Sequence, residues 1–125
     1  MKIAICTRGN SPQAPLDPRF GRCSFFALVE TAGNKWEFIP NPAAEGGGGA
    51  GIQAAQELAG RGVGAVIAGQ VGPNAMAVLK AAGIDVYCAA GSNAEEAFTL
   101  FLQNALPVLP GANAQPHAGR RERRA

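Results

Sequence analysis

The chain has one histidine in 125 residues, His117, close to its C-terminal end. The body therefore lacks the side chain that most often serves as a general base near neutral pH. Cysteine is also sparse: Cys6, Cys23 and Cys88 are odd in number and widely spaced. They fit neither a disulfide framework nor a CxxC zinc pattern. A closed structural zinc site needs about four ligands, and this body offers only thiolates and carboxylates. No apolar run approaches the roughly 20 residues that cross a bilayer. Lys2 and the short Ile3-Ala4-Ile5 run do not form a leader with a small-residue cleavage site. A cytoplasmic protein with no membrane partner is expected.

Enzyme chemistry finds little support. No serine sits in a nucleophile-elbow pattern. A two-metal nuclease needs carboxylates clustered on central strands, whereas the first strand offers Ile3, Ile5 and Cys6, and the fourth offers Val66 and Ile67. A non-catalytic protein is expected. The positive charge is also misleading. Arg120, Arg121, Arg123 and Arg124, less Glu122, give the end of the chain +3, so the body of a chain of net +2 carries −1. A solvated basic tail explains this without a nucleic-acid partner.

What is present is apolar and periodic. Hydrophobic residues make up 47% of the chain, enough for one packed domain. Residues 2–7 read as a buried strand. Residues 8–22 contain Pro12, Pro15 and Pro18 and show no periodicity; structureless loops of this length are often functional. Residues 24–30 and 35–39 read as an antiparallel hairpin around Ala32-Gly33-Asn34, with Pro40 and Pro42 stopping the third strand at a sheet edge. Ile52, Ala55, Leu58 and Ala59 recur at helical spacing up to Gly60 and Gly62. Residues 63–68 form a buried strand. Pro73 then opens a helix over 74–82, with Gly83 as its stop. Residues 84–89 are a fifth strand. Ser92-Asn93-Ala94-Glu95 reads as a capping box with Ser92 as the cap. The helix it opens would bury Ala97, Phe98, Phe101, Leu102 and Ala105 and end at Pro107 and Pro110.

The order β-β-β-α-β-α-β-α predicts an α/β fold: a mixed five-stranded sheet in the order 3-2-1-4-5, strand two antiparallel, with three helices on its faces. The domain is expected over residues 1–105, with a loose basic tail over 106–125. Ligands of such sheets bind beyond the carboxyl ends of the parallel strands.

That edge collects the chemistry. Gly46-Gly47-Gly48-Gly49-Ala50-Gly51 runs into the first helix, and Gly72-Pro73-Asn74 opens the second. Helix starts of this kind favour anions. Arg8, Arg19 and Arg22 flank them and can pair with an anion; they equally suit solvation, or pairing with Asp17 and Glu45. The glycines equally suit close approach of helix to sheet. The nucleotide readings are weak. Gly51 is followed by Ile52 rather than the Lys-Ser/Thr of a phosphate loop, and the strand before the glycines is an edge strand. No nucleotide cofactor is expected. Among the thiols, Cys6 and Cys88 read as small core residues. Cys23, beside Arg22, is the better reactive or ligating thiol.

Four motifs in order then resemble a known family. They are Asp17-Pro18-Arg19-Phe20-Gly21-Arg22-Cys23-Ser24-Phe25-Phe26, Gly48-Gly49-Ala50-Gly51-Ile52-Gln53-Ala54-Ala55, Val66-Ile67-Ala68-Gly69-Gln70-Val71-Gly72-Pro73-Asn74-Ala75, and Leu79-Lys80-Ala81-Ala82-Gly83-Ile84-Asp85-Val86-Tyr87. They resemble the dinitrogenase iron–molybdenum cofactor biosynthesis family, which includes NifX-like carriers and the C-terminal domain of NifB, over roughly residues 1–105. The resemblance implies a ribonuclease H-like fold without nuclease activity. It also implies non-catalytic binding or carriage of an iron–sulfur or iron–molybdenum cluster, or its precursor, in nitrogen-fixation cofactor assembly. A nitrogenase-type or other metalloenzyme assembly protein would be the partner. Several cofactor-carrying members have histidine at the position of Arg19, which cannot ligate a metal but can pair with an anionic cluster. On this reading Arg8, Arg19 and Arg22 hold charge, and Gly48, Gly49, Gly51, Gly72 and Asn74 line the site. Cys23, with Cys6, would supply thiolate. Two other readings stand beside it: a regulatory module binding a small anion or nucleotide at the same edge, and a module docking on a larger metalloenzyme through its exposed hairpin.

Overall fold

A computed structural model gives the fold, and the structure describes residues 1–42 and 49–113. Strands β1 (Lys2–Thr7), β2 (Phe25–Glu30), β3 (Lys35–Pro40), β4 (Val63–Ala68) and β5 (Asp85–Cys88) form one sheet in the order β3-β2-β1-β4-β5. The β1–β2 and β2–β3 pairs are antiparallel; the β1–β4 and β4–β5 pairs are parallel. The predicted order and direction of every strand hold.

The pleat sorts the apolar residues into two layers, because alternate side chains leave opposite faces of a strand. On one face Ala4, Cys6, Phe26, Leu28, Val66 and Val86 pack under helices α1 (Ala50–Gly60) and α2 (Pro73–Ala81), through Ala54, Ala55, Leu58, Met76 and Leu79. On the other face Ile3, Ile5, Ala27, Val29, Ala65 and Ile67 meet helix α3 (Ala94–Leu102), through Ala94, Ala97 and Phe98. Trp36 of β3 presses edge-on against Phe98, with ring centroids 5.4 Å apart, which closes the second layer at the sheet edge. No helix among the described residues is long and apolar enough to cross a membrane.

Three expectations need correction. The cap of α3 is Asn93, not Ser92. The Asn93 side chain accepts the Glu96 N–H at 2.8 Å, and Glu96 reaches back to the Ser92 N–H (2.7 Å) and hydroxyl (2.9 Å). The box is thus shifted by one residue. The same helix stops at Leu102, before either proline. Asn104 takes a left-handed φ of 56°, which lets its N–H bond Phe101 O and the Ala105 N–H bond Leu100 O. Leu102 and Ala105 therefore fall outside the buried stripe and are exposed. Finally, residues 106–113 are not a loose tail. Leu106 is buried beside α3, Leu109 packs on the α1/α2 layer, and the Cys88 N–H bonds Pro107 O at 2.8 Å. The expected tail from 114 on lies outside the described residues.

Candidate functional site

The three helices all begin at the edge where β1, β4 and β5 end. Segment 8–24 spreads over that edge and is tied down along its length. It first folds back on β1, with the Arg8 N–H bonding Pro15 O (2.9 Å) and the Asp17 N–H bonding Cys6 O (3.0 Å). The carbonyls of Pro12 and Ala14 accept the N–H groups of Glu95 (2.8 Å) and Ala94 (3.1 Å) in the first turn of α3. Pro18 O accepts two N–H groups of the β4–α2 turn, from Gly69 (3.0 Å) and Gln70 (2.6 Å), and the Phe20 N–H returns a bond to Gln70 O (2.9 Å). Gly69 is required here, since a Cβ would lie 2.9 Å from the Pro18 Cβ. The apparent lack of structure in this proline-rich stretch reflects only its lack of periodicity.

Gly21 forms the next contact. Its φ is +92°, and a Cβ on it would lie 2.8 Å from the Gly51 Cα in the first turn of α1. Gly51 in turn faces Ala75 of α2, where an added Cβ would be 3.0 Å away. Gly21, Gly51 and Ala75 thus bring the loop and the first turns of two helices into direct contact. The buried amide of Asn41 fixes the arrangement by donating to Gly21 O and Cys23 O, both at 3.0 Å.

The two helix starts are open in one specific sense. Neither Gly49, the N-cap of α1 in a left-handed conformation, nor Gly72, the N-cap of α2, offers a side-chain cap. The first-turn N–H groups of both helices point toward the same edge and favour negative charge there. Asn74 is exposed in the first turn of α2. Gly48 lies outside the described residues.

Arg8, Arg19 and Arg22 are all exposed. Asp17, buried at the base of the loop, holds Arg19 and feels the charge of Arg8. Arg19 donates its backbone N–H (3.1 Å) and its guanidinium (3.2 and 3.3 Å) to the Asp17 carboxylate. Burial alone would raise the Asp17 carboxyl. The Arg19 hydrogen bonds, with the charges of Arg19 and Arg8, outweigh it and hold the carboxyl below its ordinary range.

The thiols are not where the Arg22 neighbourhood predicts. Cys23 is fully buried in the α1/α2 layer, and Cys6 lies beside it. Burial pushes the Cys6 thiol up, and the neighbouring Cys23 and Asp17 add to the effect. Neither sulfur reaches the surface of the edge, so both are core residues. Cys88, expected to be buried, is half-buried at the end of β5. Among the described residues, no group of three or more His, Cys, Asp or Glu side chains could hold a metal ion. Sequence reasoning also passed over Asn41. Its signal was slight: an amide between Pro40 and Pro42, at the point where a strand must end.

The chain is thus a small α/β protein whose sheet edge carries exposed arginines and two helix starts without side-chain caps. The family follows from comparison. The dinitrogenase iron-molybdenum cofactor family model matches residues 1–104, and the chain belongs to that family. It is 41% identical over 110 residues to an uncharacterized protein of Methanocaldococcus jannaschii, covering 85% of this chain and 89% of that one. Its fold is similar to the apo form of the orange protein from Desulfovibrio gigas, with a TM-score of 0.86, 38% identity and coverage of 90% and 96%. It is also similar to a candidate NifB protein from Thermotoga, with a TM-score of 0.80, 32% identity and coverage of 90% and 97%. Family and neighbours associate the chain with cofactor-related binding or carriage.

Proposed function

We propose that the chain binds an anionic metallocluster, of iron–sulfur or iron–molybdenum type or a precursor of one, as cargo, and carries it in cofactor assembly without catalysing a reaction. The observation that carries this reading is the meeting of Gly21, Gly51 and Ala75, which sets two uncapped helix starts beside Arg19. Arg8, Arg19 and Arg22 would balance the cluster's charge. The first-turn N–H groups after Gly49 and Gly72, with the Asn74 amide, would donate hydrogen bonds to its sulfur or oxygen surface. Gly48 belongs to the same proposal from its place in the sequence. Direct ligation by Cys6 or Cys23 is not part of it, because those sulfurs are buried. A carrier gains from this arrangement, since a cluster held by charge and hydrogen bonds leaves without breaking a metal–thiolate bond. The recipient would be a metalloenzyme assembly protein, and the cytoplasm the site of transfer.

Anaerobic titration with isolated iron–molybdenum cofactor, and reconstitution with iron and sulfide followed by metal analysis, test the reading. Retained metal and an optical change that both weaken with added salt are expected. Retention of no metal overturns it. A parallel thermal-shift screen with phosphate, nucleotides and organic acids gives the rival outcome: stabilisation by those ligands alone would make the edge a small-anion regulatory site.

A further inference from the structure

After α3 the chain crosses the outer edge of the sheet. Leu106 belongs to the α3 layer and Leu109 packs on the α1/α2 layer, so this strap passes over β5 from one face to the other. The Leu109 N–H bonds Val86 O at 2.8 Å, and the Lys80 ammonium holds Pro110 O. Asn113 then fastens onto the β4–α2 turn. Its side chain accepts the Val71 N–H at 2.8 Å and donates to Gly69 O at 2.9 Å, while its backbone N–H bonds Val71 O at 3.0 Å. The rest of the turn is held by the loop of residues 8–24. Pro18 O takes the Gly69 and Gln70 N–H groups, Gln70 O takes the Phe20 N–H, and Arg19 bridges to Gln70 as a parallel strand would. Of the six backbone N–H and C=O groups of residues 69–71, three bond the loop and three bond Asn113.

The peptide between Val71 and Gly72 is trans and planar, so Val71 O and the Gly72 N–H point in opposite directions. The Asn113 N–H on Val71 O therefore aims the Gly72 N–H away from the strap. That N–H stands at the cap of α2 and has no partner among the described residues. On the loop side, the two residues bonded to the turn, Pro18 and Phe20, flank the exposed Arg19. We propose that Asn113 is a positioning residue of the anion edge: through the β4–α2 turn it sets Arg19 on one side and the Gly72 N–H on the other, and so tightens the hold on an anionic cluster. This rests on the cargo reading above. Asn113 adds no charge; it acts by fixing in advance groups that would otherwise lose freedom when cargo binds. Without its side chain the turn keeps its bonds to the loop, and turn and loop can shift together. The family match covers residues 1–104, so this clamp lies outside it.

The test uses the full chain under anaerobic conditions. Amide hydrogen exchange of the protein without cargo comes first. In Asn113→Ala the Phe20 and Gln70 N–H groups, whose bonds do not involve Asn113, should exchange at least about three-fold faster. The Ala94 and Glu95 N–H groups, which bond the same loop at Ala14 and Pro12, should keep their parent rates. Titration with a synthetic thiolate-capped four-iron, four-sulfur cluster anion then gives affinity. Asn113→Ala should bind this probe about five-fold more weakly than the parent. Leu106→Ala loosens the same strap in the α3 layer, away from the turn. It should lower the melting temperature more than Asn113→Ala does, yet bind within about two-fold of the parent; if it does not fold, the milder Leu106→Val takes its place. Because Asn113 acts in part through Arg19, Asn113→Ala should weaken binding only about two-fold in an Arg19→Gln background. Unchanged exchange at Phe20 and Gln70, parent-like binding by Asn113→Ala, equal weakening by the Leu106 variant, or an undiminished effect in the Arg19→Gln background overturns the inference while leaving the cargo reading standing. No binding by the unaltered chain overturns both.

Discussion

Arg19 holds the buried Asp17 carboxylate from two sides: its backbone N–H lies 3.1 Å from Oδ1, and its guanidinium lies 3.2 and 3.3 Å from the two oxygens. The Asp17 side chain is 3% exposed and that of Arg19 57%, so solvent screening weakens the ion pair while the short bonds persist. A carboxyl held below its ordinary value of 3.8 in the folded state stabilises the fold above that value. The contribution is lost as pH falls through the lower folded value. Stability should therefore decline with acid from about pH 4 downward. Asp17→Asn should flatten that decline and cost about 1–2 kcal/mol at neutral pH. Urea unfolding of both proteins between neutral and about pH 3 checks this. Identical acid slopes would remove Asp17 as their source.

Gly21 and Gly49 have the same backbone sign but different surroundings. Both have φ near +90°, yet a Cβ on Gly49 meets nothing within 4 Å, whereas one on Gly21 meets the Gly51 backbone at 2.8 Å. Gly49→Ala should cost about 1 kcal/mol of backbone strain. Gly21→Ala adds a backbone collision and should cost at least about twice that, with a clear fall in melting temperature. Because the collision pushes the loop off α1, anion binding should fall in Gly21→Ala more than in Gly49→Ala. Equal losses in the two would mean that the Gly21–Gly51 contact does not shape the site.

Asn41 serves two carbonyls with one amide. Asn41→Ala leaves Gly21 O and Cys23 O without that donor inside the protein, at a cost of about 1–3 kcal/mol. Asn41→Asp is the sharper variant. An ionised carboxylate would face two carbonyl oxygens and should destabilise more than alanine at neutral pH. Its unfavourable surroundings raise the folded pKa above the unfolded one. Its penalty should therefore shrink as pH falls through that raised value and the group becomes a donor. Thermal melts of the two variants across pH follow this directly; a penalty for Asn41→Asp that does not change with pH would contradict it.

The elements were legible because their signals are local. Alternation gave β3, apolar runs gave β1 and β4, and Gly83, at φ +75°, marks the stop of α2 as a residue that takes a left-handed turn without penalty. Misreadings arose where several residues compete for one role. Ser92 and Asn93 can both cap a helix, and geometry selected Asn93. Asn104 can end a helix as glycine does, so α3 stopped before its prolines. The helix starts and arginines of the edge were readable in order, but what holds them was not. Asn41 and Asn113 act across 18 to 44 residues through single amides, and no sequence period marks such contacts. Cys23 was misplaced because a neighbour in sequence was taken as a neighbour in space. Cys23 lies before β2 and packs in the same layer as Phe26 and Leu28, while its neighbours Arg22 and Ser24 are exposed.

The burial of Cys23 makes the thiols a direct check on the site. Cys6 and Cys23 are at most 1% exposed inside the α1/α2 layer, while Cys88 is half-buried at the end of β5. Reactivity follows thiolate fraction and access, and burial suppresses both for Cys6. Iodoacetamide applied to the native protein should therefore label Cys88 first, with Cys6 and Cys23 reacting only on unfolding; peptide mass spectrometry reads the order. If the edge holds its cargo by charge, Cys23→Ala should cost about 1 kcal/mol or more of stability through lost packing, yet bind a cluster anion within about two-fold of the parent. Arg19→Gln takes the guanidinium from the buried Asp17 carboxylate, so it too should cost stability, about as much as Asp17→Asn, but unlike Cys23→Ala it should weaken binding several-fold at low salt. A Cys23→Ala variant that folds but no longer takes up the cluster would make Cys23 a ligand, and would require the loop of residues 8–24 to open before cargo enters.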